Sequence, residues 1–286
     1  MLPGRVPARD GALTRADITG FHAAWARPRN TTLVIAADLN TTPVTSLIAQ
    51  TIGRWHDPQP AAQPPGATRP RPSPAAVLAD HPGAVQTQLM LAARIPGRGH
   101  PDWPALQVAT HILGAPMTGR LDTRLRDQAG LSYCTHARLA ELLPGTGLVL
   151  AGGAVTAEAT IPALQDMLTI ITTARDTGFT PAEHTATTGA LIRTTPLGCE
   201  TPGALAAITA DLATSHLPAD FADRSLTAIA ALSPAQVTDA FRRHINPAQL
   251  TLIAVGDAAT LEEPLRDIGL PAPLQVIPSA EAPLRT

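Results

Sequence analysis

The sequence predicts an α+β fold on three observations. Apolar runs of strand length cluster between residues 85 and 155. Helical spacing takes over from about residue 157 to 245, and one helix–turn–strand–helix pattern stands near each end of the chain. Strands grouped first and helices grouped after them give segregated layers rather than alternating βαβ units.

The elements follow in chain order. Residues 14–29 open with "TRAD", a Thr N-cap followed three positions on by Asp, and carry Ile18, Phe21 and Trp25 at helical spacing. "TTLVIAADL" (31–39) is short, apolar and β-branched, and reads as a strand. "TTPVTSLIAQTIGRW" places Val44, Leu47, Ile48 and Ile52 on one helical face. Residues 57–76 hold too much proline for a regular element and read as a semi-rigid extended linker. "VQTQLMLAARI" (85–95) is a strand, and "DWPALQVATHILG" is a helix. "LSYCTHARLAEL" (131–142) and "GLVLAGGAV" (147–155) flank "LPGTG" as a hairpin. "TPAE" (180–183) and "SPAQ" (233–236) are helix openings with a hydroxyl N-cap, Pro at the first helical position and Glu or Gln three residues on.

"QLTLIAVGDAATLEEPLRDIGL" then repeats the strand-then-helix grammar of residues 31–55. Two copies of one unit on either side of a linker imply tandem related domains. The expected division is 1–56 as the back of a first unit, 57–76 as linker, 77–270 as a complete second unit and 271–286 as a tail. The first unit has little chain ahead of its strand and reads as lacking its front.

Bulk composition narrows the function classes. The formal net charge is −2 with a pI near 6.5, so electrostatics gives no reason to expect nucleic acid or an anionic membrane. Aromatics make up 3% of a chain that is 44% hydrophobic, so the core is built from Ala, Leu, Ile and Val. Two cysteines, Cys134 and Cys199, make no disulfide framework and lack CxxC spacing. The N-terminus has no apolar signal core and no run is long enough to span a bilayer, so the expected location is the cytoplasm.

Metal-ligating patterns are poor. "TPAEH" (180–184) ends like a zincin HxxEH helix, but Thr180 stands where the first His must be, and Pro181 and Glu183 are better read as helix-start residues. No zinc site and no other cofactor is assigned to this chain. There is no GxSxG, and the glycines of "LAGGAV" fit a bulge or a close backbone approach better than a phosphate cradle. What remains is "RLDTRLRDQAGLSYCT" (120–135), which contains the only tyrosine of the chain, Tyr133. Leu121 and Leu125 give a buried stripe, and Gly130 sits as the C′ residue that ends the helix. That places Arg126 in the last turn and Tyr133 just past the corner. Arg126 pairing with Asp122 at i−4, with Tyr133 packed under a loop, accounts for the spacing on its own.

"GAPMTGRLDTRLRDQAGLSYCT" resembles the second-domain motif of the M16 zinc peptidases, the family of mitochondrial processing peptidase and insulin-degrading enzyme. Arg120-Leu121, Leu125-Arg126, Gly130-Leu131 and Tyr133 match. "GAP" replaces the glycine run, Gly119 a serine and Asp127 a glutamate. The resemblance implies that Arg126 and Tyr133 bind substrate and act catalytically, donating to the carbonyl oxygen on which negative charge develops during peptide hydrolysis. It also implies that zinc resides on a partner, an HxxEH-containing M16 subunit, so that this chain is the non-zinc-binding half of a heterodimer and is inactive alone. The expected substrates are peptides, with leader or precursor processing as the narrower expectation. The alternative is an inert M16-like scaffold or peptide-binding protein.

Overall fold

A computed structural model describes residues 13–40, 43–57, 75–270 and 272–278. The proline-rich stretch 58–74, the core of the expected linker, and the terminal residues 279–286 lie outside them. The chain divides into two compact units, residues 1–71 with 197–219, and residues 72–196 with 220–286. The segment 197–219 therefore groups with the first unit, although sequence assigned it to the second.

The second unit is built on a six-stranded mixed sheet in the order β3-β4-β2-β5-β1-β6. Its strands are β1 (Ala75–Asp80), β2 (Gln86–Pro96), β3 (Ser132–Leu143), β4 (Thr146–Thr156), β5 (Thr251–Gly256) and β6 (Leu274–Ile277). The β3–β4, β4–β2 and β2–β5 pairs are antiparallel, whereas β1 runs parallel to both β5 and β6. Two differences from the sequence reading follow. β1 begins inside the expected linker, and β6 is an edge strand within the expected tail. Both are short, and β6 has only four residues, so neither carries enough period-two pattern to stand out.

The alternation along β2 explains its role. Thr87, Leu89, Leu91, Ala93 and Ile95 point to one buried face while the intervening residues do not. Against that face pack α3 (Trp103–Gly114), α5 (Thr160–Thr177) and α9 (Pro234–His244). Their inward positions are mostly Leu, Ala and Ile, such as Leu106, Ala109, Leu164, Ile171 and Ala240, so a core poor in aromatics closes through small residues and tight approach. Phe179 and Phe241 supply an edge-to-face pair with centroids 5.4 Å apart. α6 (Pro181–Thr194), α8 (Phe221–Ala231) and α10 (Ala258–Asp267) complete this unit. Both sequence-read capping boxes are present, with Thr180 accepting from the Glu183 amide and Ser233 from the Gln236 amide.

The described part of the first unit holds α1 (Arg15–Trp25), α2 (Val44–Gln50) and α7 (Pro202–Thr214). The "TRAD" capping box on α1 is formed. The strand expected at 31–39 is not. No β-ladder among the described residues includes this segment, and a strand exists only through its ladder. No helix among the described residues is long and apolar enough to cross a membrane.

Candidate functional site

The corner carrying Arg126 and Tyr133 starts at α4 (Arg120–Asp122), which continues into a six-residue π-helical stretch, Thr123–Gln128. Leu121 and Leu125 are fully buried, as their spacing demanded. The wider helical turn shows in the bond from the Ala129 amide to the Arg124 carbonyl at 3.0 Å. Gly130 adopts φ +64, the left-handed conformation that glycine enters without a Cβ penalty. The Leu131 amide then bonds the Leu125 carbonyl at 2.7 Å and locks the turn into β3.

Tyr133 is displayed by a β-bulge. Ser132 pairs with Val155 and Thr135 with Gly153, so three steps on β3 match two on β4. The extra residue breaks the alternation and turns Tyr133 and Cys134 both to solvent. The Ser132 hydroxyl anchors the bulge by donating to the Ala154 carbonyl at 2.7 Å. Gly153 makes room for it, since a Cβ there would stand 2.6 Å from the Cys134 carbonyl oxygen. The neighbouring Gly152 likewise faces the Leu89 carbonyl of β2. The glycines of "LAGGAV" serve close backbone approach, as expected. Tyr133 is 92% exposed, so it does not pack under a loop.

Arg126 is held at rest. Its Nε donates to Asp127 Oδ1 at 2.8 Å and its Nη1 to Asp122 Oδ2 at 3.4 Å, with a quarter of the side chain exposed. Asp127 is the main cause of a guanidinium pKa above the usual arginine value; partial burial opposes it, and Asp122 and Cys134 add to it.

The residue that organises this corner is Asp122, whose side chain is 2% exposed. Its Oδ1 accepts from the Thr135 amide and from the Thr135 hydroxyl, each at 2.7 Å. Its Oδ2 accepts from the Met117 amide at 2.8 Å and from Arg126. Burial pushes its pKa up, but the Thr135 and Met117 bonds and the Arg126 charge outweigh burial, and the carboxyl sits below its ordinary range. Met117 has φ +66, rare for a residue with a side chain, and the bond to Asp122 fixes it there. Sequence reading assigned Asp122 only the i−4 pairing. Its links to Thr135 and Met117 cross the corner and have no spacing signature.

Two acid–histidine arrangements bear on metal binding. In "TPAEH", Glu183 takes a two-pronged bond from Arg120 at 2.7 and 2.8 Å and also accepts from the Thr180 amide. Arg120 is the first cause of a Glu183 pKa lowered to about 2. Glu183 is thus committed to the helix start, and Thr180 to the cap. The donors do not fit a zincin site. His100, Asp102 and His244 meet in space although His244 lies 142 residues from Asp102. Here Asp102 is bonded by Arg243 through both oxygens, at 2.8 and 3.1 Å, and by His244 at 2.8 Å, while its own amide donates to His100 Nδ1. These bonds tie the end of α9 to the start of α3.

Comparison with known proteins agrees with this architecture. Residues 12–190 match the family described as peptidase M16 inactive domain. An uncharacterized zinc protease of Mycobacterium tuberculosis, Rv2782c, is 26% identical over 190 residues, covering 66% of this chain and 43% of the relative. A Mycobacterium leprae counterpart, ML0855, gives 26% over 191 residues and 42% of its length. The chain thus spans less than half the length of these relatives. Among solved structures, a Helicobacter pylori protease superposes with TM-score 0.74 at 19% identity, over 86% of this chain and 59% of that one. The peptidase M16 inactive domain from Pseudomonas fluorescens gives 0.70 at 21%, over 86% and 57%. At those identities the structures speak for the fold alone, whereas the family match covers more than half of the chain: this protein belongs to the peptidase M16 inactive-domain family.

Proposed function

We propose that this chain is the non-zinc-binding member of a two-chain M16-type peptidase and contributes Tyr133 and Arg126 to peptide hydrolysis on a zinc-carrying partner. The observation that carries the reading is the display of Tyr133. A large aromatic ring that a bulge turns 92% into solvent stabilises nothing in the isolated chain, so its use lies with a molecule that approaches it. The zinc of the partner supplies the Lewis acid. The phenol hydroxyl of Tyr133 donates to the substrate carbonyl oxygen as charge builds there, and the Arg126 fork adds a second, charged donor. Peptides fit as substrates because an amide carbonyl offers one oxygen on which both donors converge. Processing of leader or precursor peptides is the narrower form of this proposal.

The inert-scaffold reading has one observation in its favour. Arg126 Nε and Nη1 are turned to Asp127 and Asp122 of its own chain, as they would be in a member that never meets substrate. The two readings separate on Tyr133→Phe in the reconstituted pair. Removing the hydroxyl of an exposed ring leaves the folded chain within about 0.5 kcal/mol of wild type. Turnover is expected to fall roughly 10²–10³-fold, about 3–4 kcal/mol of transition-state stabilisation, with subunit affinity nearly unchanged. Arg126→Lys keeps a charge without the planar fork and is expected to reduce turnover as well. Wild-type turnover by Tyr133→Phe assigns the chain to the scaffold class.

A further inference from the structure

The loop before α3 and the last turn of α9 bring two imidazoles and a carboxylate together. One nitrogen each of His100 and His244 and one oxygen of Asp102 all lie within 4.8 Å of one another. Asp102 is the N-cap residue of α3, yet its side chain caps nothing. An N-cap aspartate ordinarily accepts from the first amides of its own helix. This one reaches across to α9 instead.

The carboxylate there has room for an ion. When ionised it carries about four lone-pair sites. Arg243 takes one on each oxygen, and His244 takes a third on Oδ2. An ion that replaces the proton between His244 Nε2 and Asp102 Oδ2 leaves both Arg243 bonds in place. They then orient the carboxylate from behind, as outer hydrogen bonds do at metal sites.

The spacing fits a tetrahedral ion. Bonds of about 2.0–2.1 Å set neighbouring donor atoms roughly 3.3 Å apart, and set two imidazole centroids about 5 Å apart. His244 Nε2 and Asp102 Oδ2 are 2.8 Å apart. The His100 and His244 centroids are 5.4 Å apart, with the rings perpendicular at 87°. His100 Nδ1 accepts from the Asp102 amide at 3.0 Å, so its lone pair already faces Asp102. His100 is exposed, and a rotation of its ring closes the remaining gap without disturbing the core. The amide it leaves is exposed and bonds water. The last turn of α9 adds the negative end of a helix dipole, which favours a cation. Arg243 opposes one, but its side chain is 55% exposed and solvent screens its charge.

We propose that His100, Asp102 and His244 bind one divalent transition ion of the zinc class. Two imidazoles and one carboxylate suit zinc, cobalt, nickel or copper, whereas magnesium and calcium prefer oxygen donors. The fourth position is left to water. The ion pins the C-terminal end of α9 to the start of α3. Every protein donor comes from this chain, so the site needs neither a partner nor the proposed function.

The test is isothermal titration calorimetry of zinc chloride into the full, untagged, metal-stripped chain, with nitrogen NMR of the histidine rings beside it. One zinc is expected per chain, with the ring nitrogens of His100 and His244 shifted. His100→Ala is expected to weaken binding by roughly 10²-fold or more, since even an outer hydrogen-bond partner accounts for about 10–100-fold. His81→Ala, at another exposed histidine, is expected to leave it unchanged. Zinc is expected to raise the thermal midpoint of the wild type and not that of His100→Ala. Magnesium and calcium at the same concentration are expected to raise neither. His244→Ala is expected to match His100→Ala; should it fail to fold, His100→Ala decides alone, because that side chain lies on the surface. Absence of zinc uptake overturns the proposal and leaves the cluster a hydrogen-bonded clamp. Uptake undiminished in His100→Ala overturns it as well. Equal stabilisation by magnesium or calcium overturns the choice of ion.

Discussion

Replacing Asp122 with Ala tests whether one buried carboxylate holds the corner together. The substitution removes the acceptor for two backbone amides, Thr135 and Met117, and for the Thr135 hydroxyl. Thr135 is 2% exposed, so water does not replace what its amide loses, at about 1–3 kcal/mol. The Met117 amide lies in an exposed turn and recovers part of its bond from water, and the threonine hydroxyl rotates toward another acceptor. The sum is about 3 kcal/mol at neutral pH. Asp122→Asn keeps one oxygen and places an NH2 where a donor is unwelcome, so about half that loss is expected. The sign with pH follows from a depressed carboxyl. Asp122 stabilises the fold above its unfolded pKa near 4, and this contribution is lost as pH falls through the lower folded value. The gap between wild type and Asp122→Ala therefore narrows below about pH 4. Urea unfolding followed at the buried Trp103, with Trp25 and Trp55 changed to Phe, reads it. A gap under about 0.5 kcal/mol at pH 7, or one that does not narrow in acid, refutes the carboxylate's role.

Two further outcomes are expected in the same full chain. Glu183→Gln weakens the fork with Arg120 and is expected to cost about 1.5–3 kcal/mol near neutral pH. Because Glu183 is lowered to about 2, that difference is present above the unfolded value near 4 and fades as pH approaches about 2, which thermal unfolding across that range reads. Gly153→Ala sets a methyl 2.6 Å from the Cys134 carbonyl oxygen and must shift the bulge. A cost of about 1–3 kcal/mol in the urea midpoint is expected, with altered Tyr133 fluorescence; a neutral midpoint with unchanged fluorescence shows that the bulge does not depend on this glycine.

The parts of the molecule that were legible in the sequence are those set by local chemistry. Capping boxes at Thr14, Thr180 and Ser233, the left-handed Gly130 and the period-two run of β2 all depend on neighbours within a turn or a strand, and all are present. Arg126 and Tyr133 were placed correctly on either side of a corner. The losses share one cause, dependence on residues far away in the chain. β1 exists as a strand because it pairs with β5, and β6 because it pairs with β1. The segment 31–39 has the composition of a strand and lacks a ladder. The bulge at Tyr133 needs Gly153 on the facing strand, and the bonds from Asp122 to Thr135 span 13 residues. A sequence window holds none of these relations.

The resting state of the corner also separates the two proposed donors. Tyr133 meets an approaching molecule without giving up any bond, so its donation is limited only by how well the bulge fixes the ring. Arg126 must exchange partners first, and its two carboxylates are not equivalent. Asp127 is about half exposed, and a surface ion pair of that kind is worth about 0–1 kcal/mol, so release of Nε from it is cheap. Asp122 is buried and carries three other bonds, so it stays in place whether or not Arg126 turns. The Nη1 contact to Asp122 is the longer one, 3.4 Å against 2.8 Å, so neither carboxylate holds the guanidinium firmly. On the proposed function, a guanidinium held this way exchanges its partners for a substrate carbonyl at small cost.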